Sequence, residues 1–327
     1  MFVFVEPEPK PSPLLSEPWR KMPWGDKESD LQYVQNYTPI NKRVKHLRVL
    51  LYGPVGSGKS SFINSVSSSV RGRITQPAAP SSTTSDQSFT TTYETHTIRI
   101  GTSDSFYQFV FNDIMGLEEG TERGVRAEDI KLAMMGHVED GYKFNPMSPL
   151  STGDPKYKPY PSPDDKVHVV VCVLSADTVE IKALEKMKVI REAARDLGIP
   201  QMAIITHIDE ACEETEKDLR NVYKSKHLKQ KMKDFSAVVD IPINYIFPVK
   251  NYKEENDIVD DVDSLILNAL RRMIDFGDDF IGKMDSSHHK YQQDDWMDWF
   301  LWFVYRILMT LLLGFVLIKI WIRMKWY

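Results

Sequence analysis

Cysteine is scarce in this sequence: Cys172 and Cys212 are the only two among 327 residues. Two cysteines cannot form the disulfide framework of a small secreted domain, and this scarcity is typical of a reducing compartment. The opening MFVFVEPEPKPSP contains no basic segment, no long apolar run and no cleavage site, which argues against a secretory signal. We therefore expect the bulk of the chain to be cytosolic.

A strong charge of one sign is also lacking. The 41 lysines and arginines stand against 46 aspartates and glutamates, giving a formal net charge of −5. Nucleic-acid-binding domains usually carry a basic surface, so we predict no nucleic-acid partner. The hydrophobic fraction of 42% and the length of 327 residues allow a sizeable core, in one large domain or two small ones.

Short apolar runs alternate with amphipathic segments through most of the chain. We predict strands at 46–52, 106–113, 166–175, 201–209 and 243–249. We predict helices beginning near Ser60 and over 125–138, 179–197 and 257–276. Strands separated by helices indicate an α/β fold, with a doubly wound, mostly parallel sheet between two helical layers.

Composition divides the chain into successive parts. Residues 1–45 are rich in proline, which predicts an extended N-terminal arm, with a floppy tail as the alternative for its first dozen residues. We assign 46–283 to the α/β domain, interrupted at 144–166 by an inserted loop rich in proline and serine. Residues 284–298 are predicted to link this domain to the apolar segment 299–322.

The strongest motif is GPVGSGKS at residues 53–60, which matches the phosphate-binding pattern G-x-x-x-x-G-K-[ST] between a strand and a helix. Its glycines let main-chain N–H groups point at phosphate oxygens, Lys59 adds a positive charge, and Ser60 offers a hydroxyl to Mg²⁺. The alternative is a chance glycine-rich turn. The predicted phosphate-binding residues are Gly53, Gly56, Ser57, Gly58, Lys59, Ser60 and Ser61.

A second motif, DIMG at 113–116, follows another strong predicted strand. This places Asp113 at the carboxyl edge of the sheet, where a carboxylate holds Mg²⁺ through water, and Gly116 where its N–H can reach a γ-phosphate. An ordinary turn aspartate is the alternative. In the switch loop between the motifs we choose Thr84, with Thr83 as an equal alternative. The predicted Mg²⁺ ligands are Ser60, Thr84 and Asp113.

A third motif, THID at 206–209, ends a later strand, where guanine-specific proteins carry [NT]-K-x-D. Asp209 would accept the N1–H and N2–H₂ donors of guanine, a pair that adenine lacks, so adenine would leave a carboxylate unpaired. His207 replaces the usual lysine, and an imidazole can stack on the base. A surface turn is the alternative. The predicted base-binding residues are Thr206, His207, Asp209 and, after the last strand, Asn251.

Several segments together carry a resemblance to a known family. They are PWRKMPW, GPVGSGKSSFINSV, FNDIMGL, GYKFNPMSP, AIITHID and SLILNALRRMIDFGDDF, and they resemble the interferon-induced protein 44 family, including its 44-like branch. The resemblance covers about residues 16–283 and implies a cytoplasmic, interferon-inducible protein of antiviral or immune responses with a GTP-binding domain. It also implies that residues 53–60 bind phosphate, that Asp113 and Gly116 sense the γ-phosphate, and that Asp209 reads the base. Larger members of the family carry an additional N-terminal domain and lack an obvious membrane span.

Hydrolysis of a bound triphosphate is predicted to be slow. Leu117 stands where many small GTPases have the glutamine that orients water. Glu118 and Glu119 follow, but phosphate repels a nearby carboxylate. Arg123 and Arg126 are candidates for a charge-stabilising arginine on sequence proximity alone. Self-association into a homo-oligomer, or a partner protein, stays open as the means of raising the rate.

The apolar segment 299–322 contains WFLWFVYRILMTLLLGFVLI, in which Arg306 is the one charge. About 20 apolar residues cross a bilayer core, and aromatic residues at both ends suit the two interfaces. We predict a tail anchor that holds a cytoplasmic nucleotide domain on an intracellular membrane. Basic residues after the segment favour the opposite orientation, so a helix lying in the interface is the second interpretation and a buried core helix the third.

These features together predict a membrane-tethered GTP-binding protein of the interferon-induced antiviral response, with GTP or GDP and Mg²⁺ as cofactors. Two alternatives remain. One is an ATP-binding enzyme of the same fold, and the other is a nucleotide-independent scaffold whose phosphate loop is a relic.

Overall fold

The structure is a computed structural model that describes residues 12–78, 91–101, 104–118, 124–177 and 184–284, together with 302, 305 and 306. Its strands are β1 (Leu47–Tyr52), β2 (Glu94–Arg99), β3 (Phe106–Asp113), β4 (Val169–Ser175), β5 (Gln201–Thr206) and β6 (Ile246–Pro248). Its helices are α1 (Lys27–Gln35), α2 (Lys59–Arg71), α3 (Ala127–Met134), α4 (Leu184–Asp196), α5 (Glu213–Lys217), α6 (Lys226–Val239) and α7 (260–284).

The strands form one sheet in the order β2-β3-β1-β4-β5-β6. All neighbouring pairs are parallel except β2 with β3, which is antiparallel and lies at one edge. Every residue of β4 is buried, as a central strand covered on both faces requires. The mostly parallel α/β sheet predicted from the sequence is therefore confirmed. The carboxyl ends of β1, β3, β4 and β5 meet at one edge, where α/β folds bind their ligands.

One face of the sheet is covered by α3, α4 and α6. Leu50 and Cys172 of the sheet share a buried apolar cluster with Ile130 of α3, Ile190 of α4 and Leu228 of α6. Each such side chain stabilises the fold by roughly 1.5–3 kcal/mol relative to exposure. In α4 the buried residues are Met187, Ile190, Ala193 and Ala194, the helical spacing that packs one face of a helix on a sheet.

The other face is covered by α2, with α7 beside it. The rings of Phe62 in α2 and Phe111 in β3 meet edge to face, with centroids 6.0 Å apart. Ser69 of α2 donates a hydrogen bond of 2.6 Å to Asp263 of α7. The helix that follows the phosphate-binding motif is thus fixed between the sheet and α7.

Helix α3 is shorter than the helix predicted over 125–138. Gly136 has a φ of +85°, the left-handed conformation that ends many helices, and its N–H donates to the Ala133 carbonyl at 3.0 Å. Val138 instead pairs with Tyr157 of the inserted region 144–166. That region, all of which is described, contains one 3₁₀ turn at Pro163–Asp165 and is otherwise irregular, as predicted.

The N-terminal segment is only partly the extended arm that the sequence predicts. Leu14 pairs with Ser225 just before α6, and the Trp19 ring meets the Tyr223 ring edge to face at 5.3 Å. Further along, however, α1 is a helix, because Lys27–Gln35 contains neither proline nor glycine and packs beside α2 and α7. The prediction of an extended chain is wrong there.

The predicted anchor at 299–322 lies outside the described residues, apart from Trp302, Tyr305 and Arg306. These three are helical and exposed, and the Arg306 guanidinium lies 4.9 Å from the centroid of the Trp302 ring. Within the part of the chain that the structure describes, no helix combines the length and the apolar character that crossing a bilayer requires.

Candidate functional site

The loop at residues 53–58 joins β1 to α2 at the carboxyl edge of the sheet. Gly53 has a φ of +152°, and a Cβ at this position would lie 2.1 Å from the Val173 carbonyl oxygen of β4, so only glycine fits. The loop leads directly into the first turn of α2, which begins at Lys59. The unpaired N–H groups and the dipole of such a helix start favour an anion.

Lys59 lies inside the curve of this loop. Its side chain is buried, and Nζ donates to the carbonyl oxygens of Gly53 at 3.2 Å and Pro54 at 3.1 Å. Burial lowers the pKa of Lys59, and the carboxylate of Asp113 offsets part of that effect. The ammonium is therefore held by oxygens of its own loop, at the place where the motif predicts a polyphosphate.

Ser60 and Asp113 meet beside the same loop. The Ser60 hydroxyl donates to Asp113 Oδ2 at 2.5 Å. The other carboxylate oxygen, Oδ1, is buried and has no hydrogen-bond partner among the described residues. Burial raises the pKa of Asp113, while Lys59 and the Ser60 hydroxyl act to lower it. An unpaired carboxylate oxygen beside a serine hydroxyl is a pair of hard oxygen donors of the kind that Mg²⁺ prefers.

The DIMG segment presses against the phosphate loop. A Cβ on Gly116 would lie 2.6 Å from Cγ2 of Val55, so glycine allows the two loops to touch. The N–H of Leu117 donates to the Gly53 carbonyl at 3.0 Å, and the Leu117 side chain is buried. The structure thus brings Asp113 and Gly116 next to the loop, as the sequence predicts.

Thr206 ties the end of β5 to the phosphate loop. Its Oγ1 lies 2.8 Å from the Ser57 carbonyl oxygen and 3.1 Å from the Leu174 carbonyl oxygen. His207 has a φ of +54°, and its Nδ1 lies 2.8 Å from Thr206 Oγ1 and 2.9 Å from Ser175 Oγ. The imidazole therefore borders a cavity of 220 Å³ between the phosphate loop and the ends of β4 and β5.

Asp209 faces a cation from the loop after β6. Its Oδ2 lies 3.4 Å from Nζ of Lys250, which is also 2.9 Å from Oε1 of Glu255. Burial acts to lower the pKa of Lys250, but Glu255 and Asp209 outweigh it, so the pKa is raised. Asn251 Nδ2 donates to the Gly58 carbonyl at 3.2 Å. Thr206 and Asn251, from two different loops, therefore contact one end of the phosphate loop, and Asp209 lies beside Lys250, the neighbour of Asn251.

Some predicted residues cannot be placed in this arrangement. Thr84, with its alternative Thr83, and also Glu119 and Arg123, lie outside the described residues. Arg126 donates to the Pro146 carbonyl at 3.2 Å, which holds it against the inserted region. Ser61 lies in the first turn of α2, where its carbonyl accepts from Ser65 at 2.8 Å.

The sequence reasoning missed Lys250 and the pair Ser175–Asp177. Ser175 ends β4, and its hydroxyl is hydrogen bonded to the Asp177 carboxylate on one side of the cavity. Both could have been flagged, because Lys250 precedes Asn251 in the same loop and Ser175 ends a buried strand at the ligand edge. In the described ranges, no group of three or more His, Cys, Asp and Glu side chains is placed to hold a metal ion. A Mg²⁺ ion here would need phosphate and water oxygens as well.

A lysine-bearing loop between β1 and α2, an Asp-x-x-Gly segment after β3 and a mostly parallel sheet define the class: a P-loop protein with an α/β domain. Solved structures with a likeness to the chain include Toc33 from Arabidopsis thaliana in complex with GDP and Mg²⁺, at 14% identity and a TM-score of 0.43 over 78% of this chain and 93% of that one. A probable GTP-binding protein, engB, has 12% identity and a TM-score of 0.36 over 72% and 99%. At these values the likeness is too distant to transfer a function.

Three relatives give the family. Interferon-induced protein 44 of Homo sapiens is 33% identical over 258 residues, 78% of this chain and 57% of the relative. The Mus musculus protein is 32% identical over 254 residues (77% and 59%), and human interferon-induced protein 44-like is 32% identical over 251 residues (76% and 55%). Over this shared part the chain belongs to the interferon-induced protein 44 and 44-like family, which confirms the resemblance. No family model matches the chain, and it spans a little over half the length of these relatives.

Proposed function

We propose that this protein binds GTP and GDP with Mg²⁺ at the loop formed by residues 53–60. The observation that carries the proposal is the pairing of Ser60 with Asp113, whose second oxygen is buried without a described partner, next to the buried ammonium of Lys59. Buried polar atoms without a partner are unfavourable, so this arrangement suits a ligand that supplies both a cation and phosphate oxygens.

The residues at the site fit Mg²⁺. Ser60 Oγ and Asp113 Oδ1 would hold the ion directly or through water, and Lys59 would face the phosphates. When bound, the ion neutralises phosphate charge and fixes the orientation of the phosphate chain. The chain itself positions the phosphates, because the N–H groups of the loop and of the start of α2 already point to where the phosphates would bind.

Guanine is the base that the site suits best. Asp209 presents a carboxylate that would pair with two guanine donors, and an adenine edge cannot repay the loss of that carboxylate's hydration. The rival, an ATP-binding protein of the same fold, would have no use for Asp209. A scaffold with a relic phosphate loop would use neither Asp209 nor Lys59.

Hydrolysis is proposed to be slow. The Leu117 side chain is buried and its N–H is bonded to Gly53, so this position cannot orient a water molecule. Arg126 is bonded to the inserted region, which keeps it from serving as a charge-stabilising arginine in this conformation. A second copy of the chain or a partner would then have to supply the missing group.

We also propose a role in the interferon-induced antiviral response and attachment of a cytoplasmic nucleotide domain to an intracellular membrane. Membership of the interferon-induced protein 44 family supports the first part. The apolar composition of 299–322 supports the second. Protease protection of a C-terminal tag on intact membranes tests the attachment, since a tail anchor shields the tag and an interfacial helix leaves it open to digestion.

Calorimetric titration of the purified protein with GDP, GTP and ATP, each with and without Mg²⁺, tests the nucleotide proposal. We expect guanine nucleotides to bind and adenine nucleotides to bind at least roughly tenfold more weakly. Lys59→Ala should abolish binding and Asp209→Asn should remove the preference for guanine. Equal affinity for both bases would favour the ATP-binding rival, and no heat with any nucleotide would favour the relic scaffold.

A further inference from the structure

Three carboxylates and two lysines lie where the loops after β5 and β6 meet. Lys250 Nζ stands between Asp209 Oδ2, at 3.4 Å, and Glu255 Oε1, at 2.9 Å. The side chains of Lys250, Asp209 and Glu255 are between 21% and 28% exposed, so water screens the attraction between their charges only in part. A neighbouring pair, Lys253 with Glu210 at 3.2 Å, joins the same two loops but is more exposed.

Glu255 is held in place by its own turn. Its Oε2 accepts the N–H groups of Lys253 at 2.9 Å and Glu254 at 3.2 Å, which leaves Oε1 for the Lys250 ammonium. Burial acts to raise the pKa of Glu255, but the N–H groups of Lys253 and of Glu255 itself, together with Lys250, outweigh it and bring the pKa to about 2. Glu255 is therefore a fixed anion at neutral pH, and it is the closer of the two partners of Lys250.

Asp209 is the partner of Lys250 for which guanine would compete. Guanine needs both of its carboxylate oxygens for the N1–H and N2–H₂ donors, and the ammonium already occupies Oδ2. A guanine base can replace that contact with two hydrogen bonds, whereas adenine offers no such donor pair and would break the contact without return. A cation that rests on the reading carboxylate thus penalises the wrong base.

We propose that Lys250 is a specificity-determining residue that bridges Asp209 and Glu255 until guanine binds and then withdraws onto Glu255. This inference rests on the proposed guanine-nucleotide function. Glu255 acts through Lys250 as a positioning residue, because it gives the ammonium a place to go.

Substitutions of Glu255 and of Lys250 should have different effects on GDP binding. Glu255→Gln keeps a side-chain oxygen for the two N–H groups but removes the negative charge, so the ammonium settles on Asp209 and competes with guanine. We expect GDP affinity to fall about fivefold, the worth of a partly exposed ion pair. Adding Lys250→Met to that variant removes the competitor and should restore GDP affinity. Lys250→Met alone should keep GDP binding but narrow the preference for GDP over ADP.

The experiment uses the full chain in mild detergent and measures equilibrium binding of fluorescent GDP and ADP. The matched controls are Glu254→Gln, at an exposed carboxylate next to Glu255, and Lys253→Met, at an exposed lysine of the same loop. Both should leave the GDP and ADP affinities unchanged. Thermal unfolding of each variant shows that it is folded. The rescue by the double variant is the decisive readout, because a purely structural role for Glu255 would make the double variant bind more weakly still.

The outcomes separate the inference from the function on which it rests. If the unmodified protein prefers GDP over ADP but Glu255→Gln binds GDP as tightly as Glu254→Gln does, the role of Lys250 is wrong and the proposed function stands. If Glu255→Gln weakens GDP binding and the double variant does not restore it, the role is again wrong. If the unmodified protein shows no preference for GDP, both are overturned.

Discussion

Lys59 and Asp113 are buried at the carboxyl edge of the sheet. Burial lowers the pKa of Lys59 and raises the pKa of Asp113, so it favours the neutral form of each. Their mutual attraction opposes that shift without cancelling it, since two charges removed from water rarely recover their full hydration from each other. Asp113 gains one bond from Ser60, and Lys59 gains two from loop carbonyls. Such an incompletely satisfied pair is typical of a binding site.

Asp113→Asn should remove the effect of Mg²⁺ on nucleotide binding. The amide keeps the size of the side chain but not its charge, so we expect Mg²⁺ to bind roughly 10- to 100-fold more weakly. GTP affinity with Mg²⁺ should then equal the affinity in excess chelator, as measured by calorimetry.

Asp177→Asn is the matched control for this change. Asp177 follows the neighbouring strand β4 and is also bonded to a serine hydroxyl, that of Ser175. It borders the cavity rather than the Ser60 site, so the substitution should leave the Mg²⁺ effect intact. An equal loss of the Mg²⁺ effect in both variants would contradict the assignment of Asp113.

Strands and helices were predictable where apolar residues recur at a regular spacing. Their ends were less predictable where a side-chain hydrogen bond decides where the element begins. The strand predicted at 106–113 matches β3 in full, but the strand predicted from 166 begins at Val169. His168 accounts for the late start, since its ring takes the Arg48 N–H that a strand neighbour would otherwise accept. No composition rule signals that use of a histidine.

Helix α6 shows the opposite kind of miss, because its signal was in the sequence. Leu228, Met232, Phe235 and Val239 recur at helical spacing and are all buried. Ser225 caps the helix by accepting the Leu228 N–H at 3.1 Å. Helix α6 was therefore predictable, and the short α5 before it was not, because only Thr215 is buried there.

The His168 ring makes the pairing of β1 with β4 sensitive to acid. Nδ1 accepts the Arg48 N–H at 2.9 Å and Nε2 lies 3.1 Å from the Pro163 carbonyl oxygen, an arrangement that requires a neutral ring. Burial, together with Arg48, lowers the pKa of His168 from 6.5 to about 4. The unfolded chain therefore binds the proton more readily, so stability is fully present above pH 6.5 and is lost as pH falls toward 4.

His168→Asn should flatten this pH dependence, because the amide oxygen can accept the same N–H but does not titrate. The lost contribution is on the order of 3 kcal/mol, the shift from 6.5 to about 4 converted to free energy. Urea unfolding of both proteins at pH 7 and pH 4.5 measures it. Parallel losses in the two proteins would show that His168 is not the source.

Within residues 12–280, the N-terminal segment contacts the chain at the edge strand β6. Arg20 donates to the carbonyl of Ile246, the first residue of the edge strand β6, at 2.7 Å, and to the Ile243 carbonyl, in the turn before it, at 2.5 Å. Its guanidinium also lies over the rings of Trp19 and Phe247, at 4.9 and 5.6 Å. The sequence predicts an N-terminal arm but not where it docks, because nothing in a proline-rich stretch indicates which carbonyls an arginine will bind.

Arg20→Ala should lower the free energy of unfolding by about 2–3 kcal/mol, because two charge-assisted hydrogen bonds and the ring contacts are lost together. Arg20→Lys should recover only part of it, since an ammonium cannot donate in the same fork. Chemical denaturation measures both. Lys21→Ala, at the exposed neighbouring position, is the control and should change stability by less than about 0.5 kcal/mol.

The buried ammonium of Lys59 is costly in itself, but it also offsets the charge of the buried Asp113 carboxylate. An uncharged substitute such as methionine would remove the first cost and leave Asp113 without its opposing charge, so the two residues depend on each other. The same reasoning makes melting temperature a direct gauge of occupancy, since a bound polyphosphate relieves the penalty and raises the temperature at which the chain unfolds.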